Sequence, residues 1–167
     1  KEPLHHISNQ ILKNVTKCPC FILNDADAAG LAEMNFGAGA GYKGTVLLIT
    51  IGTGLGTVMF TKGKLVPNLE LGHIPYNDSD YEKYASDAAR KNLKLTWEEW
   101  ASRFNEYLQL VEDLLWPDMI ILGGGVSKKE DNFLKMLKTR AKVVTAQYLN
   151  EAGIVGAALA AKDHFTK

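Results

Sequence analysis

Cysteine is scarce: only Cys18 and Cys20 occur in 167 residues, on either side of Pro19. Two thiols are too few for a structural zinc site, and a pair two positions apart makes a poor disulfide. They read as small apolar residues entering a strand, and such thin cysteine use fits a reducing, cytoplasmic setting. No apolar run approaches the ~20 residues that cross a bilayer, and no leader pattern opens the sequence, so no membrane partner is expected. An excess of one charge is also missing. Lys plus Arg and Asp plus Glu both number 19, which leaves no global field to attract nucleic acid. Repeats, low-complexity tracts and long interior linkers are absent too, so a single domain with its own core is the economical organisation.

What is present is acidic residues and glycines placed where apolar runs stop. Cys20-Phe21-Ile22-Leu23 reads as a buried strand and Ala26 to Phe36 as a helix with Leu31 and Met34 at core spacing. Between them lies Asn24-Asp25-Ala26-Asp27-Ala28-Ala29-Gly30. Asp25 would sit at the carboxyl end of a strand, the edge of an α/β sheet where ligands bind. Equally, Asn24, Asp25 or Asp27 would serve as an ordinary helix cap.

Thr45 to Ile51 then runs into Gly52-Thr53-Gly54-Leu55-Gly56 and continues as Thr57-Val58-Met59-Phe60. Glycines let a turn approach a ligand closely, exposed successive amides suit phosphate oxygens, and Thr53 adds a hydroxyl. No helix follows, as a dinucleotide fingerprint requires, and no Gly-Lys-Ser/Thr follows, as a Walker loop requires. A plain glycine-closed hairpin fits the same residues.

After the hairpin signal Thr61-Lys62-Gly63-Lys64 comes Pro67-Asn68-Leu69-Glu70-Leu71-Gly72-His73. A carboxylate and an imidazole three residues apart in a loop can converge on one polyol. Zinc is the rival use, with Glu82 the only further ligand in view, and two unremarkable surface residues are the third reading. Ser79 to Asn92 should be helical. Thr96 with Glu99 forms a capping box for a longer helix through Leu115, whose Trp97 and Trp100, with Trp116, read as packing residues. Pro117 stops it. Met119 to Leu122 is a buried strand ending in Gly123-Gly124-Gly125, a second phosphate-grade turn, followed by a helix through Phe133, Leu134 and Leu137. Val143-Val144 is a short strand. A last helix from Gly153 to about Asp163 carries small residues on one face, suited to close helix packing or contact with another lobe.

In this order, the Asn24 to Glu33, Gly52 to Gly56 and Pro67 to His73 segments resemble the ROK family of sugar kinases. The likeness is nearest to its polyphosphate-using branch, and Phe36-Gly37-Ala38-Gly39, Ile121 to Ser127 and Ala152 to Ala158 extend it over most of the chain. The resemblance implies an α/β fold: the C-terminal lobe of an actin-like, ribonuclease-H-like kinase, a mixed sheet flanked by helices. It also implies phosphoryl transfer from inorganic polyphosphate or ATP to the 6-hydroxyl of glucose or a related hexose, with Mg2+ accompanying the donor and a homodimer in the full-length protein.

By the same resemblance Asp25 is the base and Asn24, Glu70, His73 and Glu82 hold the sugar. Gly52, Thr53, Gly54 and Gly56, with Gly123, Gly124 and Gly125, line the phosphate side. No complete metal site is expected. For polyphosphate, Lys128, Lys129, Lys135, Lys138, Arg140 and Lys142 offer a basic patch, or simply a solvated face.

Two departures matter. The family's Asp-x-Gly-Gly-Thr phosphate loop occurs nowhere, and no cysteine follows Gly72-His73 to form the zinc motif many members carry. The expectation is therefore that residues 1–167 are one domain, the C-terminal lobe of a two-lobed kinase whose N-terminal lobe is absent, inactive by itself. An ATP-dependent ROK hexose kinase, a sugar-sensing ROK regulator and a non-catalytic sugar-binding module are the alternatives.

Overall fold

The computed structural model describes residues 11–148 and 151–166. The apolar spacing of Ile7, Ile11, Leu12 and Val15 predicts a helix from His5 to Thr16 with His5 and His6 exposed; residues 11–16 are helical, and the rest of that stretch lies outside the described residues. The elements run in order α1 (Asp25–Phe36), β1 (Thr45–Ile51), β2 (Leu55–Thr61), β3 (Lys64–Val66), β4 (Pro75–Tyr76), β5 (Ser79–Asp80), α2 (Tyr81–Ala85), α3 (Asp87–Asn92), α4 (Trp97–Leu115), β6 (Met119–Gly123), β7 (Lys142–Thr145) and α5 (Ala152–Phe165). Short 3-10 segments cover Leu71–His73, Gly125–Asn132 and Leu134–Met136.

Five strands form one sheet in the order β3-β2-β1-β6-β7, and β4 and β5 pair separately. The β1–β2 and β2–β3 pairs are antiparallel, while β6 runs parallel to both β1 and β7. The β2–β3 hairpin closes on Lys62 and Gly63, both at positive φ, as the favoured two-residue turn requires. This is the mixed sheet flanked by helices that the resemblance implied.

Side chains alternate across β1 and β6 and so divide the core between the two faces. Leu47, Ile49, Ile51, Ile120 and Leu122 pack with Trp100, Phe104, Tyr107, Leu108 and Val111 of α4. On the other side Val46, Leu48, Met119 and Ile121 join Val58, Phe60 and Met34 of α1. The small-residue face of α5 packs on α1. A Cβ on Gly156 would overlap the Ala28 carbonyl, so the backbones meet there. Gly30, in turn, brings α1 down onto Val58 and Phe60.

Four expectations change. Residues 19–24 form no strand: no sheet edge pairs with them, and Phe21, 37% exposed, stacks on His164 at 4.5 Å instead. Ser79 to Asn92 is split, because Ser86 adopts extended dihedrals, ending α2 and capping α3 through Ala89 N. The segment after Gly125 is 3-10 rather than α. Trp100 is buried as expected, but Trp116 is 64% exposed, stands at the left-handed end of α4 and packs under the Arg140 guanidinium, 4.3 Å from its ring. The capping box of Thr96 and Glu99 is formed as the sequence indicated.

Candidate active site

An open cavity of about 450 Å³ lies at the carboxyl ends of β1 and β6. Its wall consists of Asp25, the Thr50–Gly56 turn, Glu70, Glu82 and Gly124. Five separate stretches of the chain therefore meet where a parallel pair of strands ends, the usual ligand edge of an α/β sheet. A second hollow of about 160 Å³, lined by Asp25, Ala29, Glu33, Thr50, Gly123 and Gly124 among others, adjoins it. Asp25 borders both.

Asn24 caps α1. Its Oδ1 accepts from Ala26 N at 2.8 Å and Asp27 N at 3.3 Å, and its Nδ2 donates to Glu70 Oε1 at 3.0 Å. Since the capping is done by Asn24, Asp25 next to it is exposed at the positive end of the helix, with one carboxylate oxygen on Ala26 N at 2.8 Å.

Asp27 is not the capping residue that its first-turn position suggested. It is 1% exposed, and its Oδ2 accepts from the Asn68 amide at 3.2 Å while Oδ1 has no partner. Burial pushes its carboxyl up from the ordinary value, and the charges of Glu70 and Asp25 add to this against the Asn68 hydrogen bond.

The two glycine turns meet on β1. Gly124, at φ +79°, lies so close to Ile51 that a Cβ would come within 2.5 Å of its carbonyl oxygen. In the 52–54 turn the Gly52 amide donates to Gly54 O at 3.1 Å, and Gly52 O accepts from Ala88 N of α3 at 3.1 Å. The Glu82 carboxylate covers Gly54, where a Cβ would strike it. Thr53 lines the cavity; Gly125 is exposed and lines neither hollow.

His73 is not part of the wall. It stands between two carboxylates, with Nε2 3.9 Å from Glu70 Oε2 and Nδ1 3.8 Å from Asp80 Oδ2. His73, Asp80 and Glu82 each bring one ligand atom within 4.8 Å of the others, a grouping suited in donor type to a divalent cation. A metal there would compete with a polyol for His73 and Glu82.

Four contributors were not singled out in the sequence. Thr50 sits beneath Gly56, and its signal was a polar residue ending the apolar run Leu47-Leu48-Ile49. Glu33 is buried in α1 and accepts from Ala38 N at 2.8 Å and Tyr148 N at 2.6 Å, fastening the segment after β7. A lone charge among small helix residues was its only sign. Thr57 and Asp80 carried no signal at all.

The six cations do not make one patch. Lys128 and Lys129 follow the Gly124 turn, but Lys142 opposes Met119, at the other end of the strands, and Arg140 beside it is spent on Trp116 and the Pro117 carbonyl. Among the described residues no helix is long and apolar enough to cross a membrane.

The ROK family model matches residues 7–89. Polyphosphate glucokinase of Mycobacterium tuberculosis (strain CDC 1551 / Oshkosh) is 44% identical over 139 residues, 83% of this chain and 52% of that protein. The crystal structure of an inorganic polyphosphate/ATP-glucomannokinase from Arthrobacter sp. strain KM superposes with a TM-score of 0.88 at 47% identity, covering 93% of this chain and 62% of that one. A ROK family glucokinase from Streptomyces griseus, solved with glucose and AMPPNP, gives 0.77 at 27% identity, covering 93% and 72%. The chain belongs to the ROK family, on the fold that family's sugar kinases share. It spans about half the length of the curated polyphosphate glucokinases it matches.

Proposed function

We propose that this chain supplies the sugar-binding half of a hexose kinase that moves a phosphoryl group from inorganic polyphosphate or ATP to the 6-hydroxyl of glucose. The observation that carries the reading is the single cavity lined by Asp25, Glu70, Glu82 and the Gly52–Gly56 turn. It has the size of a small-ligand site and is walled by hydrogen-bonding groups rather than by an apolar surface. The relatives named polyphosphate glucokinase and polyphosphate/ATP-glucomannokinase support the same substrate classes.

Asp25 accepts the proton of the primary hydroxyl as that oxygen attacks the terminal phosphoryl group. Its exposure, and its position bordering both hollows, suit a base that must meet acceptor on one side and donor on the other. Asn24 orients Glu70, Glu70 and Glu82 take the remaining hydroxyls, and His73, outside the wall, backs the Glu70 carboxylate. Backbone at Gly52, Thr53, Gly54 and Gly56 and at Gly123 and Gly124 faces the phosphates.

Mg2+ entering with the donor would offset charge on the transferring group, with Asp25 the carboxylate nearest both hollows. The complementary lobe, carrying the family's phosphate loop, completes the cleft, and the full-length protein works as a homodimer. In that protein Asp25→Asn lowers kcat by about two orders of magnitude or more and leaves glucose affinity within a few-fold. Near-normal turnover by that variant removes Asp25 as the base.

A further inference from the structure

The Glu70 loop is held from beneath by two buried polar side chains that line neither of the two hollows. Thr57 of β2 is 1% exposed. Its Oγ1 donates to Leu69 O at 3.0 Å and accepts from Leu71 N at 2.9 Å, so one hydroxyl grips the backbone on either side of Glu70. Asp27, equally buried, holds the Asn68 amide at 3.2 Å, and Asn68 stands in the left-handed region at φ +59°. Three of four successive loop positions, 68, 69 and 71, are thereby fixed to β2 and α1. Glu70 is left as the one that projects, its carboxylate steadied by Asn24 at 3.0 Å.

A hydroxyl on this face of β2 is otherwise out of place. Thr57 pairs with Ile49 and shares its face with Leu55 and Met59, which join the α4 side of the core. Valine would fill the same volume without a polar group to satisfy. Every hydrogen bond that the Thr57 hydroxyl makes goes to the loop.

We infer that Thr57 and Asp27 are positioning residues that set Glu70 at the sugar, acting through the backbone of residues 68–71. The inference rests on the reading of Glu70 as a hexose ligand. Because the clamp touches neither the Asp25 carboxylate nor the Gly124 turn, its loss should loosen the sugar and spare the chemistry and the donor.

The test is steady-state kinetics on the full-length protein. Thr57→Val should raise the glucose KM by about tenfold, the scale for a misplaced buried hydrogen-bonding group, with kcat and donor KM within about twofold. Thr57→Ser, which keeps the hydroxyl, should restore the wild-type KM. Asp27→Ala is the second arm and should show the same separation of KM from kcat if Thr57→Val does not accumulate as folded protein; Asp27→Asn, which keeps an acceptor for Asn68 N, should not.

In a Glu70→Gln background, Thr57→Val should add little further, because both act through one side chain. If Glu70→Gln raises the glucose KM and neither Thr57→Val nor Asp27→Ala does, the clamp is wrong and the sugar site stands. If Glu70→Gln itself leaves glucose saturation unchanged, it is the sugar-site reading that fails. Equal damage from Thr57→Ser and Thr57→Val also overturns the inference, since packing and not the hydroxyl would then be at work.

Discussion

Gly153 and Gly156 lie one turn apart on α5, and the same substitution should move stability in opposite directions at the two sites. A Cβ at Gly153 meets nothing within 4 Å, whereas one at Gly156 would overlap the Ala28 carbonyl and its carbon. Ala in place of Gly favours a helix by up to about 1 kcal/mol, and at Gly153 that gain is unopposed. At Gly156 the obstacle is backbone, which cannot rotate aside, so α5 must lift from α1. Overpacking of this kind costs about 1–3 kcal/mol and exceeds the propensity gain.

With about 2–4 °C of Tm per kcal/mol for a domain of 150–250 residues, Gly153→Ala should raise Tm by up to about 4 °C and Gly156→Ala lower it, after the propensity gain is subtracted, by up to about 8 °C. Because α1 carries Asn24 and Asp25 at its amino end, Gly156→Ala should also reduce glucose turnover although it lies outside the cavity wall. Thermal melts of the two variants beside the wild type decide the matter. A Gly156→Ala protein as stable as the Gly153→Ala one would refute the close crossing of the helices.

Glu70→Gln and His73→Ala should each raise the glucose KM, costing about 1–3 kcal/mol per lost hydrogen bond, with donor saturation unchanged; glucose titrations at fixed donor check this. Polyphosphate-driven turnover should fall steeply with added salt, and Lys128→Ala with Lys129→Ala should impair it more than any ATP-driven rate, measured as paired donor assays across ionic strength. Asp87 ionises below the ordinary 3.8: burial opposes its charge, but Lys91 at 2.6 Å and Arg90 at 2.9 Å outweigh that. Its stabilisation is therefore complete above the unfolded value and lost as pH falls through the lower folded one. Asp87→Asn should melt earlier than wild type at pH 7, and the gap should close as pH drops below 3.8.

The sheet and long helices were legible because their signals are local. Thr45 to Phe60 alternates about a glycine turn, and Thr96 with Glu99 announces α4 by a hydrogen-bonding pattern contained in four residues. What sequence could not show was partnership. Phe21 to Leu23 has strand composition, but a strand exists only where another pairs with it, and none does.

Asp27 looks like a cap in sequence because its role depends on Asn68, 41 positions away. The six cations look like one patch because a linear reading cannot see that β7 returns to the far end of the sheet before Lys142. Asp25, Glu70, Glu82 and the glycines of the first turn stand out in the sequence and line one cavity, whereas His73 and Gly125 stand out equally and do not line it. Its supports, Thr57 and Glu33, were missed because their partners are backbone groups, which carry no residue identity.

Both glycine turns end on β1, Gly52 directly and Gly124 by its close approach to Ile51. On the proposed reading, the two phosphate-facing turns thus share a single ruler, and their spacing is set by strand register rather than by either loop. The sugar side is pinned by α1, while Gly125–Asn132 beyond the second turn is a 3-10 segment that buries only Val126 and Ser127. That asymmetry gives the lobe a modular character. On that reading, exchanging 125–132 alone between relatives should convert one donor habit into another and leave hexose recognition in place.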